Sequence, residues 1–281
     1  MRFKFNGKIS QDVRVLFILP ENNLLFSYAL FALRSFTDYF QKVQHIVYPV
    51  DGKVFLLNYL FKDLVYWFRF KKEKMLKKAV EAEKNLDLVI NLDVENPLRY
   101  DLPFNKPYFS ISKKPLRHAT LNYIYLGNTP DQIYIRFPCT LGVPFQEFRL
   151  SILSDEKRKA TDFIKYKGHK EKNLIVVCDV PDVKKETLIK EYLAYKTGDK
   201  ITFIGREELH TINPDLIVPL ISFADIFVAE DSIYVYLAQI LGTKTYLFRG
   251  KGKFLPMIAP RLFIEKSDFK REILNLMPST K

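Results

Sequence analysis

The stretch VAEDSIYVYLAQILGTKTYLFRG, Val228 to Gly250, decides the fold. It ends a β-type run, ADIFVAE, places Glu230, Asp231 and Ser232 at a corner, continues as the apolar helix SIYVYLAQIL, and starts a new strand at KTYLFRG. Strand, corner, helix and strand within so few residues predict a β-α-β unit with parallel strands. Such a corner exposes the unpaired N–H groups of the first helical turn, and these donors, with the helix dipole, favour a phosphate. Asp231 or Ser232 also suits a plain helix cap. The local sequence leaves both roles open.

Working outward, the same alternation fills the chain. NLIVVCDV predicts a strand, VKKETLIKEYLAYK a helix, KITFIG a strand, DLIVPLISF a short helix, and SDFKREILNLM a closing helix. Nearer the N-terminus, VRVLFIL (Val13–Leu19) is an uninterrupted apolar run suited to a strand buried on both faces. PENN breaks it, and Asn22 or Asn23 caps the helix LLFSYALFALRSFTDYF. HIVYPV, LDLVINLD and PYFSIS predict further strands. Leu56, Leu57, Leu60, Phe61, Leu64, Val65 and Phe68 form a helical stripe that continues to Leu76, Ala79 and Val80. Between Lys113 and Lys172 the pattern loosens into a connection, with a charged helix beginning near Ser154. The expected class is α/β, with two Rossmann-like domains, 1–150 and 151–281, facing across a cleft that holds the ligand at the carboxyl ends of the strands.

Composition narrows the function. The chain of 281 residues has 44 − 32 = 12 more Lys and Arg than Asp and Glu, a surplus that suits anionic partners. Lys62–Lys84 carries eight basic residues against four acidic, and Arg69, Lys71, Lys72 and Lys74 adjoin Trp67, Phe68 and Phe70. An amphipathic helix of that kind rests on an anionic membrane surface or packs as an ordinary solvated helix. No apolar stretch is long enough to span a membrane and no signal peptide is present, so a cytoplasmic protein is expected, peripheral to a membrane at most. Cys139 and Cys178 fit the core better than a disulfide. The four histidines lack metal-ligand spacing, so no metal is expected. Neither a dinucleotide fingerprint, a Walker loop nor a Gly-x-Ser-x-Gly elbow occurs, and no nucleic-acid module is recognisable.

The stretch at Val228–Gly250 resembles the signature of the family 9 glycosyltransferases, the ADP-heptose:lipopolysaccharide heptosyltransferases. Val228, Asp231, Ser232, Leu237, Ala238, Leu241, Gly242, Leu247, Phe248 and Gly250 match or nearly match it without a gap. LDLVINLD, LGVPFQEFRLSILSDEKRKA and LLFSYALFALRSF resemble other family segments in the same order. The resemblance implies the GT-B fold, with the acceptor on the first domain and the nucleotide sugar on the second. It implies inverting transfer of heptose from ADP-heptose, without metal or other cofactor, to a lipid-linked lipopolysaccharide acceptor at the inner membrane. Glu230, Asp231, Ser232, Tyr236 and Lys184 become the donor-binding candidates.

The match breaks at informative places. The family histidine that faces the diphosphate falls on Tyr236, its glycine on Ile233 and its asparagine on Glu230. The Gly-Asp pair that supplies the family's general base falls on Asn22-Asn23, and the amide of Asn23 cannot take a proton from a hydroxyl. Glu21, next to the pair, could serve instead, as could Asp93 or Glu95 at the end of the LDLVINLD strand. In the CDVPDVKKE loop, Asp179 and Asp182 are expected to repel a diphosphate, while Lys184 and Lys185 sit on a solvated helix face. Two functions follow: a divergent glycosyltransferase, or a catalytically inactive GT-B scaffold that binds partners at a membrane surface.

Overall fold

Val15–Ile18 (β1) is buried along its whole length because it runs through the middle of a parallel sheet. Gln44–Val47 (β2) and Leu88–Asn91 (β4) flank it, with Phe17 opposite Ile46 on one side and Ile90 on the other. The computed structural model describes residues 8–42, 44–47, 57, 60–61, 64–67, 73–125, 130–146, 152–230, 232–248 and 263–264. The chain divides into two compact units, Met1–Phe148 and Arg149–Lys281.

In the first unit Leu64–Trp67 (β3), Tyr108–Ser112 (β5) and Leu121–Ile124 (β6) complete a six-stranded sheet of order β3-β2-β1-β4-β5-β6. All its pairings are parallel. Asn23–Tyr39 (α1) follows β1, and Asn22 caps it by accepting from the Leu25 N–H at 3.1 Å. Glu73–Ala82 (α2) lays Leu76 and Val80 on a core that includes Leu16, Ile18, Val89 and Tyr108. Pro130–Thr140 (α3) packs against α1.

The second unit repeats the plan. Leu174–Asp179 (β7), Ile201–Ile204 (β8), Ile226–Ala229 (β9), Thr245–Phe248 (β10) and Phe263–Ile264 (β11) form a parallel sheet of order β11-β10-β9-β7-β8. Its helices are Ser154–Tyr166 (α4), Val183–Thr197 (α5), Arg206–Thr211 (α6), Pro214–Phe223 (α7) and Ile233–Ile240 (α8). Glu156 secures the start of α4 by accepting from the Leu153 N–H at 2.9 Å. Val176, Cys178, Ile189, Leu193 and Val228 lie in its core.

Several expectations change. Leu64–Trp67 is a strand, so the stripe from Leu56 to Val80 is not one helix and α2 begins only at Glu73. Val65 and the aromatic pair Tyr66-Trp67 favour an extended edge beside β2 over a helical interior. Leu76 and Val80 of α2 pack on the core of the sheet. The supposed connection after Lys113 contains β6 and α3, both in the first unit. The short, half-exposed β6 and the prolines at both ends of α3 hid them. Cys139 is exposed on α3, while Cys178 is buried as expected. The closing helix expected at SDFKREILNLM lies outside the described residues.

Candidate functional site

Each sheet reverses its winding once, and ligands of open α/β sheets bind outside the strand ends at that reversal. In the first unit the reversal falls between β1 and β4. Glu21, Asn22 and Asn23 follow β1, and Asp93 follows β4. Asn91, at the end of β4, is buried and donates through Nδ2 to Tyr108 Oη at 3.2 Å and to Ser110 Oγ at 3.4 Å. Its Oδ1 accepts from the Asp93 N–H at 2.9 Å, which fixes where the Asp93 side chain starts.

Asp93 is 1 % exposed. Its Oδ1 accepts from the N–H groups of Glu95 and Asn96, both at 3.1 Å. Its Oδ2 is shut off from solvent and has no hydrogen-bond partner among the described residues. Burial pushes this carboxyl above the ordinary aspartate range; the two backbone donors pull it down, and the charges of Glu95 and Glu21 add to the rise. Tyr134 of α3 donates to the carbonyl of Leu92, the residue before Asp93, at 2.6 Å. Glu21 is differently placed: Arg99 Nη1 donates to its Oε1 at 2.6 Å, and Arg99 Nε donates to Glu73 Oε1 at 3.0 Å. Asn23 is the first residue of α1.

In the second unit the reversal falls between β7 and β9, which end in Asp179 and Ala229. The Glu230 N–H donates to the Asp179 carbonyl at 3.3 Å, so the two strand ends meet directly. The Glu230 carboxylate accepts from Lys185 Nζ at 2.7 Å, and this bond holds the ammonium above its usual range. Lys185 is therefore engaged across the reversal rather than simply solvated. Lys184 is exposed, and its backbone N–H donates to Asp182, the cap of α5.

The Asp179 side chain, 1 % exposed, is held from α6. His210 Nε2 donates to its Oδ1 at 3.0 Å, and Arg206 Nη1 lies 3.7 Å from the same oxygen. Asp179 thus stands opposite two basic side chains, which offsets the repulsion expected of it. The His210 ring meets Tyr234 edge-on, centroids 5.5 Å apart. Burial pushes the Tyr234 hydroxyl up to about 12, the Asp179 charge adding to the rise and Arg206 opposing it. Ser232 stands just before α8, yet its Oγ does not cap the helix: it is shut off from solvent with no partner among the described residues, and the Ser232 carbonyl accepts from Val235 N–H instead. Tyr236 lies in α8. Asp231, Arg69, Lys71 and Lys72 lie outside the described residues, and Lys74 is exposed on α2.

Sequence reasoning missed Arg206 and His210. Their signal was the i, i+4 spacing behind a glycine that ends a strand, in FIGREELH. The adjacent cavity of about 500 Å³, lined among others by Glu186, Lys190, Phe203, Gly205 and Glu208, includes neither of them and is crossed by the Lys167–Glu208 ion pair. It is distinct from the strand-end site. No helix among the described residues is long and apolar enough to cross a membrane.

No protein-family model matches the sequence, and no curated protein is matched by it. Solved structures are similar over nearly the whole chain. The glycosyl transferase family 9 protein from Veillonella parvula DSM 2008 superposes with a TM-score of 0.61 at 13 % identity, covering 96 % of this chain and 91 % of that one. For the E. coli ADP-heptose lps heptosyltransferase II the values are 0.60, 14 %, 86 % and 86 %. For E. coli heptosyltransferase WaaC with ADP-2-deoxy-2-fluoro heptose they are 0.59, 10 %, 94 % and 98 %. The fold is therefore α/β and GT-B-like. More narrowly, it is the fold of the family 9 glycosyltransferases, as the ordered motifs led one to expect.

Proposed function

We propose that this chain is a divergent family 9-like glycosyltransferase. It moves a heptose-like sugar from a nucleotide-diphosphate donor to a lipopolysaccharide-core or other cell-surface glycan acceptor. The likeness to two E. coli heptosyltransferases makes ADP-heptose the first donor to test. The acceptor is lipid-linked, and the enzyme works from the cytoplasmic side, in peripheral contact with the inner membrane.

The observation that carries the reading is Asp93, a buried carboxylate at the reversal of the first sheet with one oxygen unspent. Glu21 is less suited to be the base, because its Oε1 is already engaged by Arg99 Nη1 at 2.6 Å. In the proposed step Asp93 Oδ2 takes the proton of the acceptor hydroxyl. The hydroxyl oxygen bonds to the anomeric carbon from the face opposite the leaving group. The bond from that carbon to the β-phosphate oxygen breaks, and the nucleoside diphosphate leaves with the electron pair. The configuration inverts, and no metal is required. Burial gives Asp93 its basicity, and it couples turnover to an acceptor that displaces the cover over Oδ2.

The test is sugar transfer from ADP-heptose to a lipopolysaccharide-core acceptor, in the presence of a chelator. Transfer lost in Asp93→Asn and kept in Glu21→Gln supports the reading. Transfer that survives Asp93→Asn removes Asp93 from the chemistry. The second reading is an inactive scaffold, favoured by Asn23, an amide at the place of the family's base. A folded protein that binds no nucleotide sugar but retains anionic vesicles decides for the scaffold.

A further inference from the structure

We propose that Arg206 and His210 bind the diphosphate of the donor, replacing the helix histidine that this chain lacks at Tyr236. The assignment rests on the glycosyltransferase reading and gives its donor site residues that the family signature does not contain.

Four observations converge. Arg206 and His210 are separated by four residues on α6, so they share one face of that short helix. Both reach the same oxygen of Asp179, at the end of β7 beside the reversal of the sheet. The contact with His210 has hydrogen-bond length and fixes the ring by Nε2; in the imidazolium form the Nδ1–H is then the donor a phosphate oxygen would meet. The contact with Arg206, at 3.7 Å, is too long for a hydrogen bond, so the guanidinium keeps its donors for another acceptor. Their side chains remain 38 % and 41 % exposed, whereas Asp179 is 1 % exposed. The carboxylate is thus the fixed partner, and the two basic groups are the part a ligand can reach.

The fourth observation lies on α8. Ser232 Oγ, shut off from solvent and unpartnered among the described residues, stands two positions before Tyr234, whose ring packs on His210. An imidazole and a guanidinium therefore come together from one helix at one strand end, with Tyr234 of α8 packed on the imidazole. A diphosphate offers acceptor oxygens to both, and Arg suits it better than a point charge because its planar donors engage two oxygens at once. Lys185 is less free for this work, since Glu230 holds it at 2.7 Å. As the glycosidic bond breaks, charge builds on the departing diphosphate, and Arg206 stands ready to stabilise it.

Gly205 shapes the arrangement. Glu186 Oε2 accepts from the Arg206 N–H at 3.1 Å and so pins the start of α6. A Cβ at Gly205 would collide with the other oxygen of that carboxylate. The flexible end of Glu186 would have to shift to admit it.

The experiment is calorimetric titration of the full chain with adenosine, AMP and ADP, followed by UDP and GDP, comparing wild type with Arg206→Ala, Arg206→Gln, Arg206→Lys and His210→Ala. The expected result is ADP binding weakened about 10- to 100-fold in Arg206→Ala and Arg206→Gln, the range for a hydrogen bond to a charged group. His210→Ala weakens it about tenfold on the same basis, and Arg206→Lys restores part of the loss. Adenosine binding stays within about twofold, because it lacks the phosphates that these groups would meet. Equal losses for adenosine and ADP assign the residues a purely structural role and overturn the proposal. Wild-type affinity for ADP in both the Arg206→Gln and His210→Ala proteins overturns it while leaving the glycosyltransferase reading intact. A folded wild type that binds no nucleoside diphosphate overturns both.

Discussion

Arg99 holds Glu21 through a 2.6 Å bond from Nη1 to Oε1. The same guanidinium reaches Glu73 at the first turn of α2, so it ties the end of β1 to a helix that begins some fifty residues later. Both carboxylates are partly exposed, and the coupling is accordingly modest. A double-mutant cycle of Glu21→Gln with Arg99→Ala in urea unfolding should return about 1 kcal/mol. If Glu21 only orients its surroundings, Glu21→Gln lowers turnover by less than about tenfold, against the factor of about 100 or more lost with a general base. A loss of the larger size moves the base from Asp93 to Glu21.

Asp93 makes a prediction about pH that needs no substrate. Burial raises its folded-state pKa above the unfolded value. A raised carboxyl binds its proton more tightly in the native state, so the native state is favoured at low pH. That advantage is lost as pH rises from the unfolded pKa, about 3.9, through the higher folded value. Asn has no proton to lose. The melting temperature of Asp93→Asn relative to wild type should therefore climb with pH across that window and level off above it, whatever constant offset the amide introduces. A difference that stays flat with pH contradicts the raised pKa.

Much of the architecture was legible because central parallel strands are short apolar runs: VLFI, LVIN and IFVA declare themselves without any knowledge of their partners. Their order was not legible. Val15 lies beside Leu88, and Val176 beside Ile226, through pairings that no local period encodes. The reversals that locate the site follow from that order alone. Leu64–Trp67 was misjudged because Leu64, Val65 and Phe68 fit a helical stripe as well as an edge strand. At six residues, α6 is too short to show a period, and His210 went with it. Asp93 was legible as a carboxylate at a strand end. Its unspent oxygen was not, because burial and hydrogen-bond partners depend on the tertiary fold rather than on local sequence.

The two cysteines separate cleanly by environment. Cys139 is exposed on α3, whereas Cys178 is fully buried in β7 and burial pushes its thiol up. Native protein should react with a thiol-specific chromogenic disulfide at one cysteine quickly, and at the second only after unfolding. Cys139→Ser should abolish the fast reaction without measurable effect on the melting temperature. Two fast thiols in the folded protein contradict the burial of Cys178.

Two glycines of the second unit should respond to alanine for different reasons. Gly198 ends α5 in the left-handed conformation, at φ 60°, and a Cβ there meets nothing within 4 Å. Gly198→Ala should cost about 1 kcal/mol from backbone strain alone and leave ADP affinity unchanged. Gly205 has an ordinary φ of −82°, so alanine strains no backbone there. Its Cβ instead displaces the Glu186 carboxylate that pins the Arg206 N–H. Gly205→Ala should cost about 1 kcal/mol through the displaced Glu186 bond, and it should also weaken ADP binding, since Arg206 and His210 ride on the helix it loosens. Urea titrations and ADP titrations on the two variants check this together. Equal stability losses with ADP affinity unchanged in both would separate the pin at Glu186 from the ligand site.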